Sequence, residues 1–234
     1  MSTILFSHSA CLDHETGAYH PESPERLRSV LAALEGEDFM FLDRREAPRA
    51  TRAQLSLAHP AAHVEAVLGA IPSDGLRPID ADTVVSPGSG EAALRAAGAV
   101  VAAVDAIARR EARTAFWAVR PPGHHAGPAR AMGFCLFNNA AVGALHGRKA
   151  HGYRRVAIVD FDVHHGNGSE TLAKSDSELF YGSTHQAPLY PGTGMDNDPA
   201  HPNVVNARLP PGAGSAEFRA AFEAPVLPAL RAFA

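Results

Sequence analysis

The 234-residue chain is 46% hydrophobic, 20% charged and 7% aromatic, the balance of a globular protein with a sizeable core, which excludes a disordered or fibrous chain. Its net charge of -4 argues against a general polyanion binder, so the basic clusters at 44–52, 109–113 and 148–155 read as solvated faces and helix ends, and no direct nucleic-acid binding is expected. The two cysteines, Cys11 and Cys135, form no disulfide framework and no CxxC pattern, and the sequence shows neither a signal peptide nor a bilayer-length apolar run; one domain over 1–234, cytoplasmic and away from membranes, is the expectation.

The first predicted strand is 2–7, followed by a helix that Ser23 caps, Pro24 opens and Gly36 ends. A second strand is expected within 38–47 and a short helix begun by Pro60 within 60–70. The long run 89–113 repeats small and apolar residues at helical spacing, an apolar face read as core packing. Strand 114–119 leads into the loop RPPGHHAG, a loop and helix follow over 133–152, and further strands are expected at 155–163, 178–185 and 203–209. Strands that are apolar on both faces and alternate with helices predict an α/β fold, a parallel sheet flanked by helices in three layers, with ligands at the carboxyl ends of the strands. The final helical pattern, 215–234, is interrupted by Pro225 and Pro228 and has no polar cap, so the fold is expected to be incomplete at its C-terminus, with later strands missing.

Thirteen histidines are many for this length, and five of them, His124, His125, His164, His165 and His185, lie in a short middle stretch. In DFDVHHGNG, residues 160–168, strand alternation would point Asp160, Asp162 and His164 to one side and send Phe161 and Val163 into packing. Asp162 and His164 then form a pair of candidate Zn²⁺ ligands, with Asp160 and Asn167 as their supporting groups and a third ligand still to come from elsewhere. In RPPGHHAG the two prolines and Gly123 fix His124 and His125, and tandem histidines suit proton transfer better than joint binding of one ion; Asp160 and Asn167 are available to orient them.

Taken together, HPESPERL, DTVVSPGSGEAALRAAGAV, RPPGHHA, GFCLFNNAAVGA, VAIVDFDVHHGNGSE and STHQAPLYPGTG, in that order over about 7–211, resemble the zinc-dependent histone deacetylases and their bacterial relatives, the acetylpolyamine amidohydrolases and acetoin-utilisation proteins. The resemblance implies an arginase-like fold and hydrolysis of an N-acyl amine, from a small molecule or an acyl-lysine protein. It implies that Asp162 and His164 bind zinc, that His125 is general base and acid oriented by Asn167, and that His124, paired with Asp160, assists electrostatically. Asn167 stands where the family often has aspartate, as is typical of its class II branch. Gly133 and Phe134 would line an acyl-lysine tunnel opposite Tyr190, Arg26 would sit at an inner channel, and Ser183 with the backbone of 160–164 matches a structural K⁺ site of many members. The family's third zinc ligand and a transition-state tyrosine fall beyond the equivalent of Ala234.

Other signals are weaker. Pro60 is expected to keep His59 and His63 off one face, PGTG reads as a tunnel-side turn, Cys135 as a buried small residue, and Asp80 and Asp82 as either entrance residues or loop caps. Two alternatives stand beside the enzyme: a non-catalytic remnant that binds an acyl-lysine peptide or partner protein, and arginase-like dimanganese chemistry, which wants more bridging carboxylates than 160–168 offers. A homodimer is compatible with the sequence, which specifies no interface.

Overall fold

The computed structural model describes residues 3–234; Ser2, at the head of the first expected strand, lies outside them. Parallel pairing dominates. Strands β1 (Ile4–Ser7), β2 (Asp43–Glu46) and β5 (Ala115–Ala118) form one three-stranded parallel sheet in the order β2-β1-β5, and β6 (Val156–Asp160), β7 (Leu179–Gln186) and β8 (Val204–Leu209) form a second in the order β6-β7-β8. Helices α1 (Pro24–Ala33), α2 (Arg52–Leu55), α3 (Ala61–Gly69), α4 (Ser89–Ala108), α5 (Asn139–His151) and α6 (Asn167–Lys174) connect and flank them. The α/β class is therefore as expected, with the parallel strands divided between two sheets.

Local chemistry explains the helix limits. Pro24 opens α1 after an extended Ser23, although the Ser23 side chain makes no capping bond. Asn138 caps α5 by accepting from the Ala141 N–H, and Gly152, left-handed at φ 72°, ends it. Helix α4 is buried along most of its length, and it approaches the chain at Pro48 so closely that a Cβ on Gly98 would lie 1.9 Å from the Pro48 carbonyl oxygen. The main core gathers Leu55, Val64, Val101, Phe137, Val142 and Leu179, from α2, α3, α4, the segment before α5, α5 and β7.

Four local expectations change. The second strand starts only at Asp43, because 37–39 turn as a 3₁₀ helix. An antiparallel hairpin of β3 (Arg77–Pro78) and β4 (Val84–Val85) fills a stretch with no predicted element. Strand β6 ends at Asp160, so Phe161 and Val163 are 75% and 52% exposed instead of packed. The physical reason is local: the Asp160 carboxylate accepts from the Asp162 N–H at 3.2 Å and Asp162 accepts from the His164 N–H at 2.8 Å, and these two aspartate turns bend the backbone out of the strand. At the C-terminal end, α7 (Ser215–Ala221) passes through a π-turn, Phe222–Val226, into α8 (Leu227–Phe233); Pro225, which has no N–H to give the ladder, sits in that wide turn.

His14 and His59 are buried and neutral. The His59 tautomer is fixed by its partners, since Nδ1–H donates to the Pro128 carbonyl at 2.9 Å while Nε2 accepts from the Asn138 N–H at 2.9 Å. Burial pushes both rings down to about 4. In the unfolded chain they return to about 6.5, so between these values the unfolded state binds more protons and stability falls as pH is lowered. The urea midpoint should therefore drop between about pH 7 and about pH 5, above the range where carboxylates titrate, while the His59 ring resonances do not shift. A flat midpoint, or a titrating His59, would contradict this.

Candidate active site

The loop 120–127 is held from several sides before any reacting group is considered. Arg120 is 0% exposed, and its guanidinium donates to both carboxylate oxygens of Glu22, at 2.5 and 2.6 Å, and to the Cys11 carbonyl at 3.1 Å. Burial works against the Glu22 charge, yet the Arg120 bonds outweigh it and hold its carboxyl below the usual range. Asn139 donates to the Pro121 carbonyl at 3.1 Å and Asn138 to that of Ala126 at 3.2 Å. The first turn of α6 spends two of its free N–H groups, those of Gly168 and Ser169, on the His124 carbonyl at 3.0 and 3.1 Å.

The His124 and His125 rings lie 4.0 Å apart and have different partners. His124 Nδ1–H donates to Asp160 Oδ2 at 2.8 Å, and His125 Nδ1–H donates to Asn167 Oδ1 at 2.8 Å, which leaves Nε2 of His125 to accept. The partners drive the two rings in opposite directions. At His124 burial disfavours the charge, but the hydrogen bond to the Asp160 carboxylate and its charge prevail and raise the pKa. At His125 burial, reinforced by the neighbouring His124, pushes the ring down to about 4, and a neutral amide cannot offset that. The arrangement sets a neutral imidazole beside one whose protonated form its carboxylate favours.

Asp162 and His164 lie on the turn after β6, 51% and 36% exposed, with Asp162 Oδ1 and His164 Nδ1 3.2 Å apart. Two donors around a zinc ion at 2.0–2.1 Å bonds stand roughly 3.3 Å apart, so this carboxylate and imidazole fit as two ligands of such an ion. Among the described residues no third His, Cys, Asp or Glu atom lies within 4.8 Å of both.

Gly133 and Tyr190 border the His125 ring, and Phe134 follows Gly133 with its ring on His20. A Cβ on Gly133, at φ 59°, would fall 2.4 Å from His125 Cδ2, so only glycine lets the chain pass there. Phe134 is also left-handed, at φ 68°, which is strained for a bulky side chain. The hairpin loop holds both in place: Asp82 accepts from the Gly133 N–H at 2.9 Å and Thr83 Oγ1 from the Phe134 N–H at 3.1 Å. The Tyr190 ring stands edge-on to His125 at 5.0 Å. Burial raises its pKa, and its hydrogen bond with Asp82 acts in the same direction.

The remaining predicted residues lie further out. Arg26 is half-exposed, donating to the Val119 carbonyl at 3.3 Å beside Glu22. Ser183 is buried on β7 in register with Asp160 and bonds His185 at 3.0 Å. His59 and His63, contrary to expectation, do share a side and stack at 4.8 Å although His59 precedes the helix, since the turn that bonds its N–H to the Leu55 carbonyl at 3.1 Å folds it back, but their ring nitrogens bond backbone groups. Burial pushes the Cys135 thiol well up, as befits an unreactive core residue. Tyr181 was not foreseen: its hydroxyl donates to Asp160 Oδ2 at 3.2 Å and accepts from the Gly166 N–H at 2.9 Å. Nothing local in ELFYGSTH signals so distant a partner.

Residues 20–234 match the histone deacetylase domain family. The chain is 41% identical over 99% of its length to an uncharacterised protein of Synechocystis, of which it spans 77%, and 34% identical over 99% of its length to a histone deacetylase-like amidohydrolase of Pseudomonas aeruginosa, of which it spans 67%. The solved HD domain of HDA15 superposes with a TM-score of 0.81 at 34% identity, over 88% of this chain and 62% of that one. The chain thus spans between about three-fifths and three-quarters of these relatives' lengths. On the family match and these identities, the chain belongs to the histone deacetylase family.

Proposed function

We propose that the chain carries the zinc-dependent hydrolytic site of a deacetylase acting on N-acetyl or other N-acyl amides, with acyl-lysine or acetylpolyamine-type amines as substrates and residues 1–234 forming one catalytic domain. The observation that carries this reading is the opposed pair, His125 neutral on Asn167 and His124 pushed toward its protonated form by Asp160, next to Asp162 and His164. When bound by Asp162 and His164, zinc supplies Lewis-acid polarisation of the amide carbonyl and of water. Nε2 of His125 takes the proton of the attacking water and returns it to the leaving amine, while Asn167 holds the ring in the tautomer that keeps Nε2 free. His124, whose protonated form the Asp160 hydrogen bond favours, supplies positive potential for the negative charge that develops on the acyl oxygen. Gly133, Phe134 and Tyr190 form the walls past which an extended acyl chain reaches His125, and Arg26 the inner channel beside Glu22. The same reading gives Ser183 a structural K⁺ and the protein a reducing compartment such as the cytoplasm, which suits two buried free thiols.

A second reading, acyl-lysine binding without turnover, is favoured by one observation: among the described residues Asp162 and His164 gain no third acidic, histidine or cysteine neighbour.

Acetate release from an N-acetyl-lysine peptide, with zinc supplied, separates the two. The wild-type chain should hydrolyse the peptide, and His125→Ala should lose about 100-fold or more in kcat; peptide binding with no acetate released would establish the second reading instead. Asn167→Ala, which frees the His125 ring without removing it, should cost about 10-fold or more. Gly133→Ala removes no polar group, yet its methyl collides with the His125 ring, so kcat should fall while zinc content is unchanged; an unaffected kcat would show that ring position is not limiting.

A further inference from the structure

Helix α5 begins beside the histidine pair, where Asn139 bonds Pro121, and its last residue, His151, lies about 18 Å further along the helix axis. At that far end three side chains from two helices converge. Asp105 comes from the last turn of α4, and His146 and His151 from α5. Nε2 of His146 and Nε2 of His151 approach the same oxygen, Asp105 Oδ1, at 2.7 and 2.6 Å, with the imidazole planes crossed at 82°. These are the only three His, Cys, Asp or Glu donors among the described residues whose ligand atoms all lie within 4.8 Å of one another.

The surroundings suit a cation. The trio is partly buried, with side-chain exposures of 11%, 23% and 27% for His146, His151 and Asp105, so one side stays open for water. The carboxyl end of α5 contributes partial negative charge at His151. The nearby guanidinium groups are engaged elsewhere: Arg109 with Glu111 at 2.7 Å, and Arg148 with Asp176 and Glu178. As drawn, the donors are hydrogen-bonded, closer together than the roughly 3.3 Å expected around a zinc ion. A change of tautomer that moves each ring proton from Nε2 to Nδ1, with an opening of less than about 1 Å between the donors, would convert the cluster into a ligand set.

We propose that Asp105, His146 and His151 form a second divalent transition-metal site of the zinc class, distinct from Asp162 and His164, with water completing the coordination and the ion clamping α4 to α5. Two imidazoles and one carboxylate are a set that holds zinc, and the crossed rings bring their Nε2 atoms to one carboxylate oxygen from different directions. Because the ligands lie on two packed helices, an ion bound there stabilises the folded state over the unfolded one.

The test uses the untagged chain, loaded with equimolar Zn²⁺ and dialysed, with zinc per chain and the thermal midpoint measured for the wild type and for an Asp162→Ala/His164→Ala double variant. The double variant should retain about one zinc per chain and melt at a higher temperature with zinc than without. Adding His151→Ala or Asp105→Asn should abolish both effects. No zinc retained by the double variant, or zinc retained equally after either added substitution, overturns the proposal and leaves a hydrogen-bonded trio. Should the double variant not fold, Co²⁺ serves with the other histidines intact: the visible spectrum of the loaded wild type should lose one component in His151→Ala, and identical spectra would overturn the proposal.

Discussion

The carboxylate of Asp160 ties the site together. One oxygen takes the His124 ring and the Tyr181 hydroxyl, and the other takes the Asp162 N–H. Three segments distant in sequence thus meet on one buried charge: the loop of tandem histidines, the second strand of the β6-β7-β8 sheet, and the turn that carries Asp162 and His164. A buried carboxylate without such donors would be expelled or protonated. Here burial pushes its pKa up, but the hydrogen bond and charge of His124 prevail and keep it ionised. That charge in turn raises the pKa of His124.

A second buried ion pair plays the matching role at the other end of the loop. Arg120 and Glu22 are joined through two parallel hydrogen bonds, a geometry in which planar guanidinium and carboxylate satisfy each other without water. The pair anchors the residues before the histidines to the segment leading into α1. Between these anchors the tandem histidines have little freedom, and their electrostatic contrast follows from position: the residue that meets the carboxylate has its pKa raised and the one that meets an amide has it lowered. One amide-for-carboxylate choice, at Asn167, therefore separates two adjacent and chemically identical side chains.

Much of this could be read from the sequence and some could not. Alternating apolar strands and helices revealed the parallel architecture, and the residues that converge come from two short, conspicuous motifs, 120–127 and 160–168. The alternation rule failed at Phe161, because it assumes that a strand continues while its side chains remain apolar; here the side chains of Asp160 and Asp162 capture backbone N–H groups and end it. The Arg77–Val85 hairpin was invisible since strands of two residues carry no periodicity. The partners of Tyr181, Arg120 and Asp105 lie across long stretches of chain, and a polar residue in an apolar element does not announce which distant group will satisfy it.

Phe134 carries a consequence of a different kind. Its left-handed backbone costs on the order of 1–2 kcal/mol for a residue with a Cβ, and it is kept there by Thr83 and by the edge of the His20 ring 4.8 Å away. A glycine at this position would relax that strain and at the same time remove the ring that packs on His20. Under the proposed function, in which Phe134 walls the acyl passage, selection for thermal robustness and selection for a narrow passage pull in opposite directions at a single codon, and a directed-evolution search that rewarded only melting temperature would drift toward a wider, less discriminating passage.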